Sequence, residues 1–404
     1  MFCIALLAST LTGCGKDIAT KTSAEKNNDS VSTGSVEQIK KEYPAGTKMK
    51  LDYAKNFTVE YLENGNKLVT DGAGKQILLL QKGESAPEKY TSIPNVTIPI
   101  NNTIYTSTTS VGYLRAFSDE NIYDSIIGVR GTKDDWDFDE MKSRMESGKI
   151  VDIGSNTTTS VSYDYEVIQS LQPSLVFTTS GMSSEQTDLM SMLDQAGIKY
   201  VFDGSSAEQD YKGTMEWMKF FAAFYNLETE ADDYYAKAIQ NIDEIVKVAD
   251  SIPDEEKVKA GYGIVVNGTI YVENAGSQFA QMIRDCGGKY IFDDIGVGIN
   301  GVTSISTEDF YERLSTTDKF VNRSMPKYSS TDVSSITDQL PELANLSCFT
   351  EPDRVLQITD NYWNSYHNID EKYSELAEFL YPDKFDGTTS DKFEHFLIMT
   401  VNGQ

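Results

Sequence analysis

The sequence predicts an α/β protein in which two lobes, joined by a long helical segment, enclose a ligand cleft. The chain has 404 residues, a length that suits two domains better than one small core. Strand and helix patterns alternate over residues 97–212 and again over 251–404, which is typical of largely parallel sheets. Between them, over 213–250, apolar residues recur at the spacing of one helix face.

The N-terminus begins with a short apolar segment, residues 2–11, that runs into Leu11-Thr12-Gly13-Cys14. It resembles the signal peptide of bacterial lipoproteins, so Cys14 is expected to carry the lipid anchor at the start of the mature protein. A membrane-spanning helix would need about 20 apolar residues. Since no basic residue precedes the segment, we expect the natural start to lie upstream of Met1. The alternative is an apolar segment that packs within the fold.

Residues 15–44 are expected to form a flexible tether, because small polar and charged residues dominate there. The first lobe, residues 45–212, should open with strands at 57–62 and 76–80, separated by the turn residues Asn64-Gly65. Alternating elements then follow. Strands are expected at 104–105, 126–129, 149–153, 175–177 and 199–202, and helices at 108–114, 166–171 and 185–196.

The connecting region, residues 213–250, is predicted to be helical with a break and a new helix start at 226–229. Because a helix of about 20 residues spans roughly 30 Å and resists bending, the lobes should rock only modestly. The second lobe, residues 251–404, should contain strands at 260–266 and 355–358 and helices at 278–285, 307–314 and 369–380.

Ligand-contacting residues are expected at the carboxyl ends of the strands, where open α/β sheets bind ligands. In the first lobe these are Thr108, Thr109, Ser110, Arg130, Lys133, Ser155, Asn156 and residues 179–182. In the second lobe they are Tyr271, Asn274, Ser277, Asn361, Tyr362 and Trp363.

Arg130 is the strongest electrostatic candidate among them, because a planar guanidinium can hold a carboxylate or phosphate with two hydrogen bonds. An exposed loop arginine is the commoner outcome. Trp363 could stack on a planar ligand or be partly buried in the core. His367 could cap a chelated metal, although a solvent-exposed histidine is the more ordinary expectation.

Composition excludes several functions. With 62 acidic and 35 basic residues the formal charge is −27, which disfavours nucleic-acid partners. The chain has two histidines, too few for a multi-histidine zinc site, and we expect no metal site and no cofactor. Beyond the signal segment only Cys286 and Cys348 remain, and whether they pair is left open.

Several segments together resemble the solute-binding lipoproteins of bacterial ABC importers, of the iron-chelate and cobalamin type, over roughly residues 45–400. The segments are 213–225 (GTMEWMKFFAAFY) with its continuation at 228–235, 107–109 (STT), 165–173 (YEVIQSLQP) and 282–288 (MIRDCGG). The resemblance implies two Rossmann-like lobes of the class III periplasmic-binding-protein type. It also implies a lipid-anchored, extracytoplasmic, non-enzymatic receptor that delivers an iron-siderophore, haem or cobalamin-like chelate to an ABC permease and its ATPase.

Glu166 and Glu308 each lie at an expected helix start, where a carboxylate interacts favourably with the helix dipole. That ordinary role competes with a second one. Both match the positions at which the family places one glutamate per lobe to dock with arginines of the permease. Charge pairs of this kind favour orientation and encounter rate more than affinity.

Other chemistries have weaker support. The segment 296–301 (GVGING) has dinucleotide-fingerprint spacing, but no helix is expected to open within it. The acidic segment 135–146 lacks the glycine of a calcium loop and is instead expected to start an acid-rich helix. Since no hydrolase elbow, P-loop or HExxH motif occurs, a hydrolase is the weakest hypothesis. A lipoprotein of the same fold that acts as a sensor or protein-interaction module is the main alternative.

Overall fold

A computed structural model describes residues 35–155, 161–179, 184–385 and 393–401. Cys14, Asn156 and residues 180–182 lie outside this range. The tether prediction is too long at its C-terminal end, because helix α1, Val36–Glu42, buries Ile39 and is followed by Tyr43, whose hydroxyl donates to Asp232 at 2.7 Å. No helix of the described ranges is both long enough and apolar enough to span a membrane.

A four-stranded sheet precedes the first lobe. Its strands are β1 Thr58–Tyr61, β2 Lys67–Thr70, β3 Gln76–Gln81 and β4 Asn95–Ile98, in that order. The first three are antiparallel and β4 runs parallel to β3. Asn64, in the left-handed region with φ 61°, makes the turn into β2. Sequence analysis missed β2 because Lys67 interrupts its apolar pattern, yet the Lys67 side chain is fully buried against Glu228.

The first lobe is built on a five-stranded sheet, entirely parallel, in the order β7-β6-β5-β8-β9. Its strands confirm the predicted alternation. They are β5 Thr103–Tyr105, β6 Ile126–Val129, β7 Val151–Asp152, β8 Leu175–Thr179 and β9 Tyr200–Asp203, and the helices are α2 Thr108–Gly112, α3 Asp139–Glu146, α4 Tyr165–Leu171 and α5 Ser184–Ala196.

The connecting region is three helices rather than one long helix: α6 Tyr211–Glu216, α7 Met218–Ala223 and α8 Glu228–Asp250. The break at 226–229 was predicted, and Asn226 makes it with φ 60°. A second break falls at Trp217, which the continuous apolar spacing did not reveal. The side chains of Trp217 and Phe224 are completely buried, and every residue from 213 to 228 is buried, so this first part of the region is core, whereas α8 has an exposed face.

The second lobe is a mixed seven-stranded sheet in the order β13-β11-β10-β14-β15-β16, with β12 also paired to β10. Its strands are β10 Lys259–Val266, β11 Thr269–Glu273, β12 Lys289–Tyr290, β13 Val302–Ile305, β14 Lys319–Asn322, β15 Val355–Ile358 and β16 Phe396–Ile398. Its helices are α9 Gln278–Asp285, α10 Thr307–Leu314, α11 Ser334–Thr337, α12 Ser347–Thr350 and α13 Ile369–Leu380. Strands β10, β14 and β15 are parallel, so their carboxyl ends share one edge. Cys286 and Cys348 are both buried and unpaired thiols.

Buried glutamates attach irregular segments to the connecting helices. The Glu216 carboxylate accepts backbone N–H groups of Asp52, Tyr53 and Ala54 at 2.9 Å and pairs with Lys219 at 3.2 Å. Hydrogen bonds to a charged acceptor are stronger than neutral ones, and here four partners compensate its burial. Segment 52–54 therefore depends on this one side chain.

Glu216→Gln should lower the free energy of unfolding by about 3 kcal/mol, because an amide supplies one acceptor oxygen and turns an NH2 group toward backbone donors. Urea unfolding followed by tryptophan fluorescence measures the change. The exposed Glu244→Gln on α8 is the control and should stay within about 0.5 kcal/mol of wild type. If Glu216→Gln lowers the free energy of unfolding no more than the control does, Glu216 does not hold segment 52–54 in the way described.

Candidate functional site

The two lobes meet around a cavity of about 330 Å³ at the carboxyl ends of β5 and β6 on one side and of β14 and β15 on the other. This is the place at which open α/β sheets bind ligands. The first lobe contributes Ser107, Thr108, Thr109, Arg130 and Asp135, and the second contributes Met325, Lys327, Tyr328, Asp360, Trp363 and Asn364. Both lobes would therefore touch a molecule bound there.

Arg130 follows β6 directly, and the backbone bond from its N–H to the carbonyl of Tyr105 fixes its place. Its Nη1 donates to the Tyr163 hydroxyl at 3.0 Å, and the guanidinium lies 5.5 Å from the centre of that ring. The Nε atom is buried and has no hydrogen-bond partner. Among the described residues no carboxylate forms an ion pair with this guanidinium, and its recorded side-chain partner is the neutral phenol of Tyr163.

Trp363 is the aromatic side chain of the second lobe that lines the cavity, and Arg323 packs on its ring. The Trp363 ring stacks on Tyr366 at 6.1 Å, and the Arg323 guanidinium lies 5.3 Å from the Trp363 ring centre. Arg323 also pairs with Glu273 at 3.3 Å. Arg323, which was not expected from the sequence, follows the buried strand β14 directly as Arg130 follows β6, but it does not line the cavity itself.

Direct contacts join the lobes beside the cavity. Lys327 Nζ lies 3.4 Å from Asp135 Oδ1, and Asn364 Nδ2 donates to Asp137 Oδ1 at 2.6 Å. Arg115 adds bonds of 3.2 Å to Asn361 Oδ1 and to the Asn364 carbonyl. The cavity is thus closed on this side by protein groups alone.

A second set of contacts joins the lobes through the glycine-rich loop 296–301. Asn300 Nδ2 donates to the Ser206 carbonyl at 2.8 Å, and Gln209 Nε2 donates to the Gly298 carbonyl at 3.1 Å. The loop contains no helix, as expected, so the dinucleotide-fingerprint alternative has no structural support. Its role in the fold is a contact between lobes.

A family model described as periplasmic binding protein matches residues 104–315, more than half of the chain. The chain belongs to the periplasmic binding protein family. The matched residues include the whole first-lobe sheet, the connecting helices and the first strands of the second lobe. A solved structure of the same fold, from Sulfurospirillum deleyianum, is named an ABC transporter solute binding protein; it superposes with a TM-score of 0.52 at 16% identity, over 80% of this chain and 92% of that one. Membership in a family of binding proteins agrees with the prediction that the chain is not an enzyme.

Relatives and solved structures agree with this membership. An uncharacterised lipoprotein of Methanocaldococcus jannaschii is 28% identical over 365 residues, which cover 85% of this chain and 84% of the relative. A periplasmic haem-binding protein of Pseudomonas aeruginosa superposes with a TM-score of 0.57 at 12% identity, over 74% of this chain and 98% of that one. A possible iron-binding periplasmic protein of Staphylococcus epidermidis gives 0.52 at 19% identity, over 69% and 98%. At these identities the structures establish a shared fold.

Four of the predicted ligand residues of this periplasmic binding protein line the cavity: Thr108, Thr109, Arg130 and Trp363. Their contact with a ligand stays a prediction. Asn361, also predicted, is bonded to Arg115 at the contact between lobes.

Ser110 and Tyr362 turn into the core instead, which corrects their assignment to the cleft. Ser110 is buried and donates to Asp203 at 2.6 Å, because α2 carries it to the face that packs on β9. The Tyr362 hydroxyl lies 2.8 Å from that of Tyr211. Burial raises the Tyr362 pKa well above its ordinary value, so this group stays a neutral hydrogen-bonding phenol.

Lys133, Ser155 and Tyr271 also lie away from the cavity. Lys133 is exposed and pairs with Glu146 at 2.8 Å, while Ser155 bonds Ser162 at 2.8 Å in a separate surface depression. Tyr271 lies within β11, between β10 and β13, because β11 is an antiparallel return strand whose middle does not reach the cavity. Asn274 and Ser277 are buried and hold local structure, and Ser277 caps α9 through the Ala280 N–H.

The two histidines are buried. Burial keeps the pKa of His367 well below its ordinary value, so its imidazole is neutral and the expectation of a solvent-exposed histidine was wrong. His395 contacts Glu375 through Nδ1 at 2.9 Å. No cluster of three or more potential metal-ligating side chains occurs in the described part of the chain.

Glu166 and Glu308 are exposed in the first turns of α4 and α10. The helix caps are made by their neighbours, since Asp164 accepts the Val167 N–H and Ser306 accepts the Asp309 N–H. Neither glutamate carboxylate is therefore needed as a cap. Each lies in a surface depression with at least one tyrosine and one further acidic residue: Tyr163, Tyr165, Asp152 and Asp164 beside Glu166, and Tyr311 and Glu342 beside Glu308.

Gly112→Ala should push the lobes apart, because a Cβ at this position would lie 2.7 Å from the Asn364 carbonyl oxygen across the interface. Overpacking of this kind costs about 1–3 kcal/mol. Small-angle X-ray scattering should show a larger radius of gyration, and the thermal midpoint should fall. The control is Gly213→Ala in α6, where the nearest atom is 3.3 Å away. An unchanged radius for Gly112→Ala would contradict a rigid contact here.

Glu273→Gln should become progressively more stable than wild type as the pH rises. Burial raises the pKa of Glu273 to about 6, against an ordinary value of 4.5. As the pH rises through these two values the carboxyl ionises more readily in the unfolded chain than in the folded one, so wild type loses stability. The difference in unfolding free energy should grow by about 2 kcal/mol between pH 4 and pH 8. Urea unfolding at both pH values tests this, with Glu244→Gln as control. A pH-independent difference would contradict it.

Proposed function

We propose that this periplasmic binding protein is the lipid-anchored receptor of an ABC importer and that it captures a metal chelate, namely an iron-siderophore, haem or a corrinoid. The observation that supports the proposal most is the cavity between the lobes, with Trp363 on one wall and, on the other, the Arg130 guanidinium, which forms no ion pair with a described carboxylate. Pockets that combine aromatic walls with a few polar groups suit partly apolar ligands.

The solved relatives favour this class of cargo. One is named a haem-binding protein and another a possible iron-binding protein. The cavity of about 330 Å³ is at the small end of the range of roughly 300–1,000 Å³ for ligand pockets, so a bulky chelate would have to separate the lobes partly.

A titration tests the cargo. The chain beginning after Cys14 is mixed with ferric siderophores, haem and corrinoids, and thermal unfolding and tryptophan fluorescence are followed. A ligand at about a hundred times its dissociation constant should add roughly 2.7 kcal/mol of stability. Trp363→Ala should weaken the response, while exposed Tyr311→Ala, far from the cavity lining, should not. If none of these compounds changes the thermal midpoint or the fluorescence, the sensor or protein-interaction alternative is favoured.

The lipid anchor is proposed at Cys14. The relatives named lipoproteins and the Leu11-Thr12-Gly13-Cys14 motif support it. Cys14→Ser should abolish incorporation of labelled fatty acid and release the protein from the membrane fraction, because acylation requires the thiol. Continued membrane association of the variant would argue against an acyl anchor at this residue.

Glu166 and Glu308 are proposed to dock on the permease, one from each lobe. Reversal of both to Arg should reduce uptake at least tenfold and leave ligand affinity unchanged, because neither side chain lines the cavity. Transport in cells and binding by the purified protein are measured side by side. The double variant Glu244→Arg/Glu255→Arg, at exposed positions, is the charge-matched control. Normal uptake by the Glu166/Glu308 variant would refute the docking role.

A further inference from the structure

Resting on the proposed function, we infer that the ligand presents a carboxylate or phosphate-type anionic group to Arg130 and Lys327. Until the ligand arrives, Asp135 of the first lobe neutralises Lys327 of the second. The ligand's anionic group therefore exchanges with an internal carboxylate. Asp135 and Lys327 were not among the residues expected from sequence to bind ligand.

Arg130 is the first cation of the cavity. Its side chain is only partly exposed, its Nε is buried without a partner, and Nη1 bonds a neutral phenol. Removing a charge from water is costly unless an opposite charge or several hydrogen bonds compensate it. In a chain with 62 acidic residues, a guanidinium that faces a cavity without a carboxylate partner in the described structure is a site for an external anion.

Lys327 supplies the second cation. Its Nζ lines the same cavity and lies 3.4 Å from Asp135 Oδ1, with the two side chains 32% and 26% exposed. A partly exposed pair of this length contributes at most about 1 kcal/mol. An incoming oxyanion that also bonds Arg130 can therefore replace Asp135 at little cost.

The positions of Asp135 and Asp360 allow a ligand anion to take the place of Asp135 beside Lys327. Asp135 is held by its own loop, because Oδ2 accepts the Thr132 N–H at 2.9 Å, so it keeps its place when Lys327 moves away. Asp360, the other carboxylate of the cavity, accepts the backbone N–H of Lys327 at 3.2 Å and does not face Arg130 as an ion-pair partner. The hydroxyls of Thr108 and Thr109 offer neutral donors to the same anion.

Breaking the Lys327–Asp135 pair would also release one of the contacts that hold the lobes together at this side. Anion binding and a small separation of the lobes would then be coupled, since both use the same pair. The Lys327–Asp135 contact exists only when the lobes are together, and the contact between Lys327 and the anion exists only after that pair is broken. A ligand shifts a conformational equilibrium only when it contacts the two states differently, and this condition is met here.

Isothermal titration with citrate and with inorganic phosphate tests the exchange, and glycerol serves as the uncharged probe. Wild type should bind the anions measurably. Asp135→Asn, which keeps the acceptor for the Thr132 N–H, should bind citrate at least threefold more tightly, because the competing charge is gone. Arg130→Gln and Lys327→Gln should each bind it at least tenfold more weakly. Glu146→Gln, an exposed position outside the cavity, should match wild type.

Several results would overturn the inference: no anion binding by wild type or by Asp135→Asn, weaker binding by Asp135→Asn, or unchanged binding by Arg130→Gln. Urea unfolding of each variant shows whether weaker anion binding comes from the missing side chain or from a loss of stability of the whole fold. The chelate titration and the transport assay are independent of these probes. A chelate that binds wild type while the substitution pattern fails would leave the proposed function standing and remove only the anion exchange.

Discussion

The burial of the segment that joins the lobes is the constraint on which the rest of the structure depends. Residues 213–228 are all buried, and the segment bonds to both lobes and to the N-terminal sheet. Tyr113 of the first lobe donates to the Thr214 carbonyl at 2.7 Å, and the Thr214 hydroxyl donates to Gln278 of the second lobe at 2.6 Å. Lys67 of the N-terminal sheet donates to the Ala223 carbonyl at 2.8 Å. The connection is thus a shared core, and neither lobe is complete without it.

The shared core limits how the cleft can work. Aromatic rings of the segment pack on one another and on both lobes, as Phe221 does against Tyr113 and Phe177, and Tyr211 against Phe279. Close-packed interiors change between discrete arrangements and do not deform continuously. The contacts between the lobes at the cavity and at loop 296–301 are polar hydrogen bonds and ion pairs, so we expect any separation of the lobes to break these contacts and leave the aromatic core intact.

This arrangement is held by buried polar groups as well as by buried apolar area. Glu216 and Glu208 hold residues 52–56 on the connecting helices, and Glu375 accepts the N–H groups that begin the C-terminal strand β16. An unsatisfied buried carboxylate is expensive, so alternative packings that break these bonds are disfavoured. Glu216, Glu208 and Glu375 thus serve the fold through bonds to backbone N–H groups, whereas Arg130 at the cavity forms no ion pair with a described carboxylate.

The sequence by itself determined the α/β class, two α/β lobes and the bounds of helices such as 278–285 and 369–380, while the separate four-stranded N-terminal sheet was not foreseen and ligand binding at the strand ends stays a prediction. Periodicity and strand ends are local properties, and they need no knowledge of partners. Strand β2 and the break at Trp217 were missed because a buried lysine and a continuous apolar run hide them. Which of the predicted cleft residues reach the cavity was decided only by tertiary structure. Ser110 and Tyr362 found buried partners, while Lys327 and Asp135 came together from residues 192 positions apart, a contact that no local pattern encodes.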